Sequence, residues 1–579
     1  MNLFNVVKDK IIAICQEIGK QENWTECRFD VINTEQPKNP EHGDMATNAA
    51  MVLAGQVKQN PRQLADRIAS ELEKDDEIQS TSVAGPGFIN IVLKKEIWLE
   101  QIKLINNDVE TYAKTDIGKG LKANIEFVST NPTGPMHIGH ARNAVCGDAL
   151  ASLLKFCGYD VTKEYYVNDA GAQIGVLTES VFIRYLELFG RFTGEFPEGC
   201  YPGDYLIPPA RKLKELHNDK LIDMKAEKRN EIIRPFIIEE MMSLIRHDLE
   251  LLGVKHETFV SEQSLHDAKE IDKLAKYLEE KNLVYRGVLE PPKGQKPDDW
   301  EEREQLLFRT TNFGDDVDRP LQKSDGTWTY FAADIAYMKH KLDRKFDYLA
   351  IFLGADHGGY VKRLKAAAKV LSENKADIDV KLCQLVNYLK DGKQLKMSKR
   401  AGTFATVKDI VDMLGKDIVR FMMLTRKNDV VMDFDVDKVV EHSKDNPVFY
   451  VQYAHARAKS VLRGAKEELK DAYQIYQSCR ANLDLINTKA ELNLIKTLSS
   501  WPRQIEQAAQ SHEPHRIAYF LENLAAEFHS LWSNKKENIK FLIPDNPALT
   551  AVRLTLVDAT SKIIKSGLKL IGVDAMESM

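Results

Sequence analysis

Long apolar runs are missing from this chain. No stretch of about 18 uncharged apolar residues occurs anywhere in its 579 residues, which argues against a membrane-spanning helix. The opening segment, MNLFNVVKDKIIAICQEIGK, is apolar at helical spacing but broken by Lys8, Lys10 and Glu17. It therefore lacks the continuous apolar core of a secretory signal. Cysteine is also scarce: seven thiols, Cys15, Cys27, Cys146, Cys157, Cys200, Cys383 and Cys479, stand far apart, with no CxxC pair and no His/Cys cluster at zinc-ligand spacing. An odd, dispersed set argues against a disulfide framework or a structural zinc and predicts reduced thiols in a cytoplasmic protein with no dedicated metal site. A Walker GxxxxGK[ST] is absent as well, so ATP, if used, is held in another way. No sign of charge dominates, with 80 Lys+Arg against 86 Asp+Glu and a net charge of −6.

What is present is a globular composition, 43% hydrophobic and 29% charged. The length predicts about three or four domains. From Asn446 onward 17 basic residues face 14 acidic ones, so a slightly basic C-terminal part follows an acidic body. Such an imbalance permits RNA contact, though most are only solvated surface.

The chain is organised in four stretches. Residues 1–112 read as helix, then short mixed elements, then strand. From about Asn124 strands alternate with helices: IEFVS is read as a strand, IGHARNAVCGDALASLLKFCG as a helix, VTKEYYV as a strand, FDYLAIFLG as another, and YVKRLKAAAKVL as a helix. That alternation predicts a doubly wound parallel sheet over residues 113–375. Two Pro/Gly-rich loops, EFPEGCYPGDYLIPP and EPPKGQKPDDWEERE, bracket an inserted region read as helical. A connecting region, 376–445, follows, and residues 446–579 read as amphipathic helices.

Two short segments bear chemistry. After the strand IEFVS comes STNPTGPMHIGHARNAV, in which His137-Ile138-Gly139-His140 opens a helix. Helix N-termini present unsatisfied N–H groups and a positive dipole end, and so favour phosphate. Two imidazoles there can donate to a phosphoryl group as its charge redistributes, and Gly139 leaves room for a flat ring on the backbone. The blander reading is a helix start with two surface histidines. Some 260 residues later, GKQLKMSKRAGTF places Lys396, Met397, Ser398, Lys399 and Arg400 between Gly392 and Gly402. A Gly-flanked basic loop can close over a triphosphate and neutralise departing pyrophosphate; alone, such a pentapeptide is more often a solvated turn.

Together the HIGH and KMSK segments form the paired signature of class I aminoacyl-tRNA synthetases. From end to end the chain resembles the bacterial-type arginyl-tRNA synthetase family, closely so at EFVSTNPTGPMHIGHARNAVCGDALASLL, EYYVNDAGAQI, TYFAADIAY, LGADHGGYVKRLKAA and NPVFYVQYAHAR. The N-terminal EHGDMATNAAM and AGPGFIN and the terminal GLKLIGVDAMESM extend the likeness. Arginine carries a planar, permanently charged guanidinium that wants a carboxylate. Tyr330 and Asp334, four apart in TYFAADIAY, would share one helix face, which suits a ring beside a carboxylate; the rival reading is a capped helix with a buried ring. Other amino acids, cysteine or glutamate among them, and a non-catalytic RNA-binding relative are the alternatives. Missing zinc spacing argues against a cysteine enzyme, and the completeness of both signatures against a non-catalytic one.

The resemblance implies a Rossmann-like α/β catalytic domain, an N-terminal α/β appendage that touches tRNA, and a C-terminal all-α anticodon-binding bundle. It implies ATP with Mg2+, L-arginine and arginine tRNA as partners; a monomer is expected. By resemblance His137, His140, Lys396 and Lys399 are catalytic, and Tyr330 and Asp334 bind the substrate side chain with Glu126, Ser129, Asn131 and His140 close by. Gly139, Gly354, Asp356, His357, Met397 and Ser398 join the four catalytic residues in the ATP site. Gly358 stands where many relatives have a second histidine. Tyr450, Tyr453 and Arg457, beside Phe449 and His455, mix rings with cations and are expected to meet tRNA, although for the rings alone a bundle core is the commoner reading. Arginyl enzymes also belong to the few synthetases that need tRNA to form the adenylate, and the resemblance implies that here.

Overall fold

The computed structural model describes every residue except 1, 38, 290–302, 374, 391, 395–404, 442–445, 535, 536 and 538. The first helix, Leu3–Gln21, starts where the Asn2 side chain accepts the Phe4 N–H. Its buried residues Phe4, Val7, Ile11, Cys15 and Ile18 recur at helical spacing. That stripe belongs to a core shared with a four-stranded antiparallel sheet in the order Thr34–Glu35, Met45–Thr47, Phe88–Leu93, Ile78–Ala84.

The central sheet has five parallel strands in the order Asp377–Cys383, Tyr348–Gly354, Lys122–Glu126, Asp160–Val167, Thr258–Ser261. Ala123, Ile125, Leu349 and Ala350 have no exposed surface, as expected of a sheet covered on both faces. After Lys122–Glu126 the chain winds one way across the sheet and later returns to its other side. The strand order therefore switches between Lys122–Glu126 and Tyr348–Gly354, and the crevice beyond their carboxyl ends is where such sheets bind ligands. The helix Ile138–Phe156 follows the first of these strands, and the turn Ala355–Tyr360 follows the second.

Two sequence readings are corrected here. The strand read as IEFVS stops at Glu126, because Val128 (φ 69°) and Ser129 (φ 37°) are left-handed and the Val128 N–H bonds Asn143 Oδ1 at 2.7 Å instead of a neighbouring strand. The region read as a helical insertion has the long helix Ala226–Leu251, but it also supplies the edge strand Thr258–Ser261. The chain then builds an antiparallel sheet from Val284–Gly287, Gln305–Phe308 and Arg319–Gln322. Strands of four residues carry too little periodicity to be told from loop.

Beyond Asn446 the described residues form helices and connections, among them Pro447–Glu468, His515–Ser533 and Pro547–Leu570. This bundle is not a free appendage. One apolar core runs from Leu3 through Ile125 and Phe127 to Val573. Arg420, 1% exposed, ties the parts together by donating to Ile571 O at 2.9 Å, Leu252 O at 2.8 Å and Asp148 Oδ2 at 2.6 Å.

Candidate active site

His137 and His140 sit at the start of the helix Ile138–Phe156 and act on its backbone. His137 is the N-cap, its Nδ1 accepting the Gly139 N–H at 3.1 Å, while His140 Nδ1 accepts the His137 N–H at 3.2 Å. The rings stack 3.7 Å apart. A ring nitrogen that accepts carries no proton, so each neutral imidazole bears its hydrogen on Nε2. From His140 that hydrogen points to Thr130 Oγ1 at 3.1 Å. The signature thus sets the tautomer of both rings so that Nε2 is a donor, which is what a phosphoryl oxygen needs. Gly139 has a different immediate use from the one read in the sequence: a Cβ there would lie 3.1 Å from His137 Cε1, so the glycine makes room for the capping ring.

Across the crevice, Gly354 ends its strand under the Asp356 side chain, which a Cβ at Gly354 would strike at 2.5 Å. His357 lies 3.6 Å from Asp356 and edge-on to Tyr360, and none of residues 355–360 is buried. A side chain at Gly358 would meet only Leu382, at 3.8 Å, so the fold leaves space where the family often has histidine. Lys396, Met397, Ser398 and Lys399 lie outside the described residues. Their C-terminal flank is described: Val407 N–H donates to Met136 O at 2.9 Å and His137 pairs with Thr406 in an antiparallel bridge, so residues 406 and 407 lie beside the HIGH segment.

The residues read as arginine-binding fall on two sides. Asn131 donates to Gln173 Oε1 at 2.9 Å at the crevice rim. Ser129 donates to Glu126 Oε1 at 3.0 Å and accepts the Tyr166 N–H at 3.0 Å. Glu126 is already paired, with Lys341 Nζ at 2.5 Å, in a buried network that includes Asn124, Glu164, Tyr337 and Arg344. Tyr330 and Asp334 share the helix Tyr330–Asp343, capped by Thr329. The helix is capped as the rival reading held, but the Tyr330 ring is 67% exposed, not buried.

Asp334 is partly buried, and burial, followed by the negative charges of Glu262 and Glu126, pushes its carboxyl up to about 7, against an easing effect from Arg363. Sequence reading missed its neighbours. Glu262 is 5% exposed and Tyr166 9% exposed, and Glu262 Oε2 and the Tyr166 hydroxyl are buried with no hydrogen-bond partner among the described residues. Burial, Glu262, Asp334, Glu126 and Asp169 all raise the Tyr166 hydroxyl, and burial raises the Glu262 carboxyl. Acceptors buried this way cost about 1–3 kcal/mol each until a donor arrives. Among the described residues only Arg363, which eases Asp334, and His266, 3.8 Å from Glu262, bring basic groups toward these carboxyls, so they outnumber their cations.

A family model described as the arginyl tRNA synthetase N terminal domain matches residues 3–93, one described as tRNA synthetases class I (R), catalytic domain, matches 102–186, and the DALR anticodon binding domain matches 451–579. A curated arginine–tRNA ligase of Ruegeria sp. is 49% identical over 585 residues, covering all of both chains. The chain belongs to the arginyl-tRNA synthetase family. The corresponding ligase of Sinorhizobium medicae is 50% identical over 584 residues, again over both full lengths. The solved arginyl-tRNA synthetase of Thermus thermophilus, 21% identical, covers all of both chains with a TM-score of 0.75 and shares the fold.

In this synthetase the C-terminal residues singled out from sequence divide. Tyr453 and Arg457 line an open cavity of about 720 Å3 with Trp532, Lys540, Arg463 and Met579. Arg457 lies over the Trp532 ring at 4.3 Å and the Tyr453 ring at 5.3 Å. Tyr450 is instead packed against the core and His529. His455 is no surface cation: it is fully buried, Nδ1 lies 2.7 Å from Met576 O, and burial lowers its pKa. An arginine-tyrosine-tryptophan wall with further cations at its rim suits an unpaired base and its phosphate.

Proposed function

We propose that the crevice between His137, His140 and Asp334 carries out both half-reactions of an arginine–tRNA ligase, with the residue roles given below. Family membership makes the activity itself plain: the chain activates L-arginine with ATP and transfers it to tRNA for protein synthesis. Glu262 Oε2 and the Tyr166 hydroxyl, buried without a hydrogen-bond partner among the described residues, together with the raised Asp334 carboxyl, support the substrate assignment. A guanidinium brings five donors and one positive charge, which meets both deficits. Asp334 and Glu262 take the guanidinium, Tyr330 covers it, and Ser129, Asn131 and Glu126 shape the crevice toward the α-amino end. Glu126 acts there through its Lys341 pair.

ATP lies with its phosphates at the N-terminus of Ile138–Phe156 and its nucleoside toward Gly354, Asp356 and His357. The arginine carboxylate attacks the α-phosphorus in line; the bond to the bridging oxygen breaks, and pyrophosphate leaves under Lys396 and Lys399. His137 and His140 donate from Nε2 to the phosphoryl oxygens as charge shifts onto them. The 2′-hydroxyl of the terminal tRNA ribose then attacks the arginyl carbonyl, forming the ester as AMP departs. Around the signature helix the polar groups are imidazole, hydroxyl and backbone N–H, a set that receives phosphate oxygens. Mg2+ fits as an ion carried by the triphosphate and water, where it neutralises charge without a protein cage.

The working division is 1–112 for outer tRNA contact, 113–375 for catalysis, 376–445 for the KMSK segment and stem contact, though its first strand, Asp377–Cys383, completes the catalytic sheet, and 446–579 for the anticodon, in a cytoplasmic monomer. Tyr453 and Arg457 are the tRNA-contacting pair, and Tyr450 supports them from behind. Aminoacylation with each of the twenty amino acids and total tRNA tests the substrate. Arginine alone should be esterified, and charging of another amino acid with arginine inert would overturn the assignment.

A further inference from the structure

Within the segment that delivers the HIGH tetrapeptide, the Thr133 N–H donates to Asn131 O at 2.7 Å, and most of the rest of its support comes from side chains elsewhere. Residues 131–136, Asn-Pro-Thr-Gly-Pro-Met, form no helix or strand, and Pro132 and Pro135 offer no backbone N–H. Besides the Asn131–Gln173 bond, two side chains hold it: Tyr205, from the loop that leads into the inserted region, and Asp248, from within that region. At one end the Tyr205 hydroxyl donates to Thr133 O at 2.8 Å, and its ring lies against Gly134, where a Cβ would come within 3.0 Å of Cζ and where φ is +154°. At the other, Asp248 on the helix Ala226–Leu251 accepts the Met136 N–H at 2.8 Å. Asp248 is 2% exposed and Met136 wholly buried. The next backbone group, Met136 C=O, accepts the Val407 N–H that follows the KMSKR loop.

We infer that Asp248 is a positioning residue for adenylate formation: through the Met136 backbone it keeps residues 137–140 in register with the end of the KMSKR loop. This rests on the catalytic reading of His137 and His140. A carboxylate is a stronger acceptor for a buried N–H than any neutral group. Met136 is the residue before His137, whose own N–H and ring build the paired cap of the signature helix. Release of Met136 therefore moves both imidazoles together. A shift of about 1 Å at reacting groups costs on the order of 100-fold in rate. Tyr205 is the second tether, acting on the far end of the same six residues.

The test uses the full-length enzyme with arginine and its tRNA, comparing wild type with Asp248→Ala, Asp248→Asn and Tyr205→Phe. Single-turnover adenylate formation, equilibrium affinities for ATP and arginine, and thermal midpoints are measured together. Asp248→Ala should slow the chemical step about 100-fold while both affinities stay within about twofold. Asp248→Asn, which keeps a carbonyl acceptor, should recover most of that loss, and Tyr205→Phe should slow the step several-fold. A wild-type rate in Asp248→Ala, an equal loss in rate and affinity, or an Asn variant as slow as the Ala variant would each overturn the inference. If Asp248→Ala does not fold, the other two variants decide, and wild-type rates in both would overturn it. Failure of the wild-type enzyme to activate arginine would instead sink the parent reading.

Discussion

Lys341 Nζ lies 2.5 Å from Glu126 Oε2 and 3.6 Å from Glu164 Oε1, and neither Lys341 nor Glu164 has exposed side-chain surface. The pair settles which carboxylates of the crevice already carry a resident cation. Glu126 and Glu164 already have a resident ammonium, whereas among the described residues Asp334 and Glu262 have no lysine or arginine paired with them, and Glu262 faces only the His266 imidazole, at 3.8 Å. Removing the ammonium leaves buried charges uncompensated, which costs about 3–5 kcal/mol. Lys341→Met should therefore lower the denaturant midpoint sharply, and adding Glu126→Gln should recover part of the loss. A Lys341→Met enzyme of wild-type stability would contradict the pairing.

Asp334 should be the dominant contact with substrate. Asp334→Asn leaves the guanidinium a neutral partner, a loss of roughly 2–5 kcal/mol in arginine affinity, while ATP affinity is retained. Calorimetric titration of both ligands checks the split, and unchanged arginine affinity would remove Asp334 from the site.

The same carboxyl makes arginine binding pH-dependent. In the empty enzyme Asp334 is held up to about 7 by burial and by Glu262 and Glu126, so below neutral pH it carries a proton that the guanidinium must displace. Affinity should weaken by up to about tenfold per unit as pH falls below 7. The stability term has the opposite course: the folded empty enzyme keeps a proton that the unfolded chain releases near its ordinary value. This contribution is therefore lost as pH rises toward 7. Calorimetry in buffers of different ionisation enthalpy should detect close to one proton released per arginine bound near pH 6, and none would refute the protonated state.

His256 should make the catalytic domain acid-labile. It is 6% exposed among Phe127, Tyr165 and Phe259, and burial lowers its pKa to about 4. Between the ordinary histidine value and about 4 the unfolded chain binds a proton that the fold refuses, so stability falls as pH falls through that window. The full effect is about 3 kcal/mol. His256→Phe should flatten the thermal midpoint between pH 6.5 and 4.5. A variant with the wild-type slope would assign the acid loss elsewhere.

Transfer RNA should act on chemistry as well as receive its product. Thr406 and Val407, shortly after KMSKR in sequence, are bonded to the HIGH segment, and the chain runs on through Val407–Leu414 and Lys416–Met423 to the bundle. A shift from about 1% to about 50% closed loop needs roughly 2.7 kcal/mol of differential tRNA affinity. ATP–pyrophosphate exchange should be near background with arginine alone and appear with arginine tRNA. Arg457→Ala should raise the tRNA concentration required without changing the rate at saturation. Robust exchange in RNA-free buffer would end the coupling.

Much of this protein was readable from local pattern. Apolar spacing marked the first helix, the alternation of strand and helix marked the parallel sheet, and the fading of strand signals after Asp445 marked the bundle. HIGH and KMSKR pointed to the synthetase family, and a four-residue interval put Tyr330 and Asp334 on one helix. These are properties of neighbouring residues, and the chain's short-range geometry enforces them. The resident partner of Glu126 is 215 positions away at Lys341, and the tether of Met136 is 112 away at Asp248. Glu262 faces the acid pocket only because Thr258–Ser261 joins the far edge of the sheet. Nothing periodic marks such residues. Their meetings were decided by strand order and helix packing, which set distances between segments that covalent geometry leaves independent.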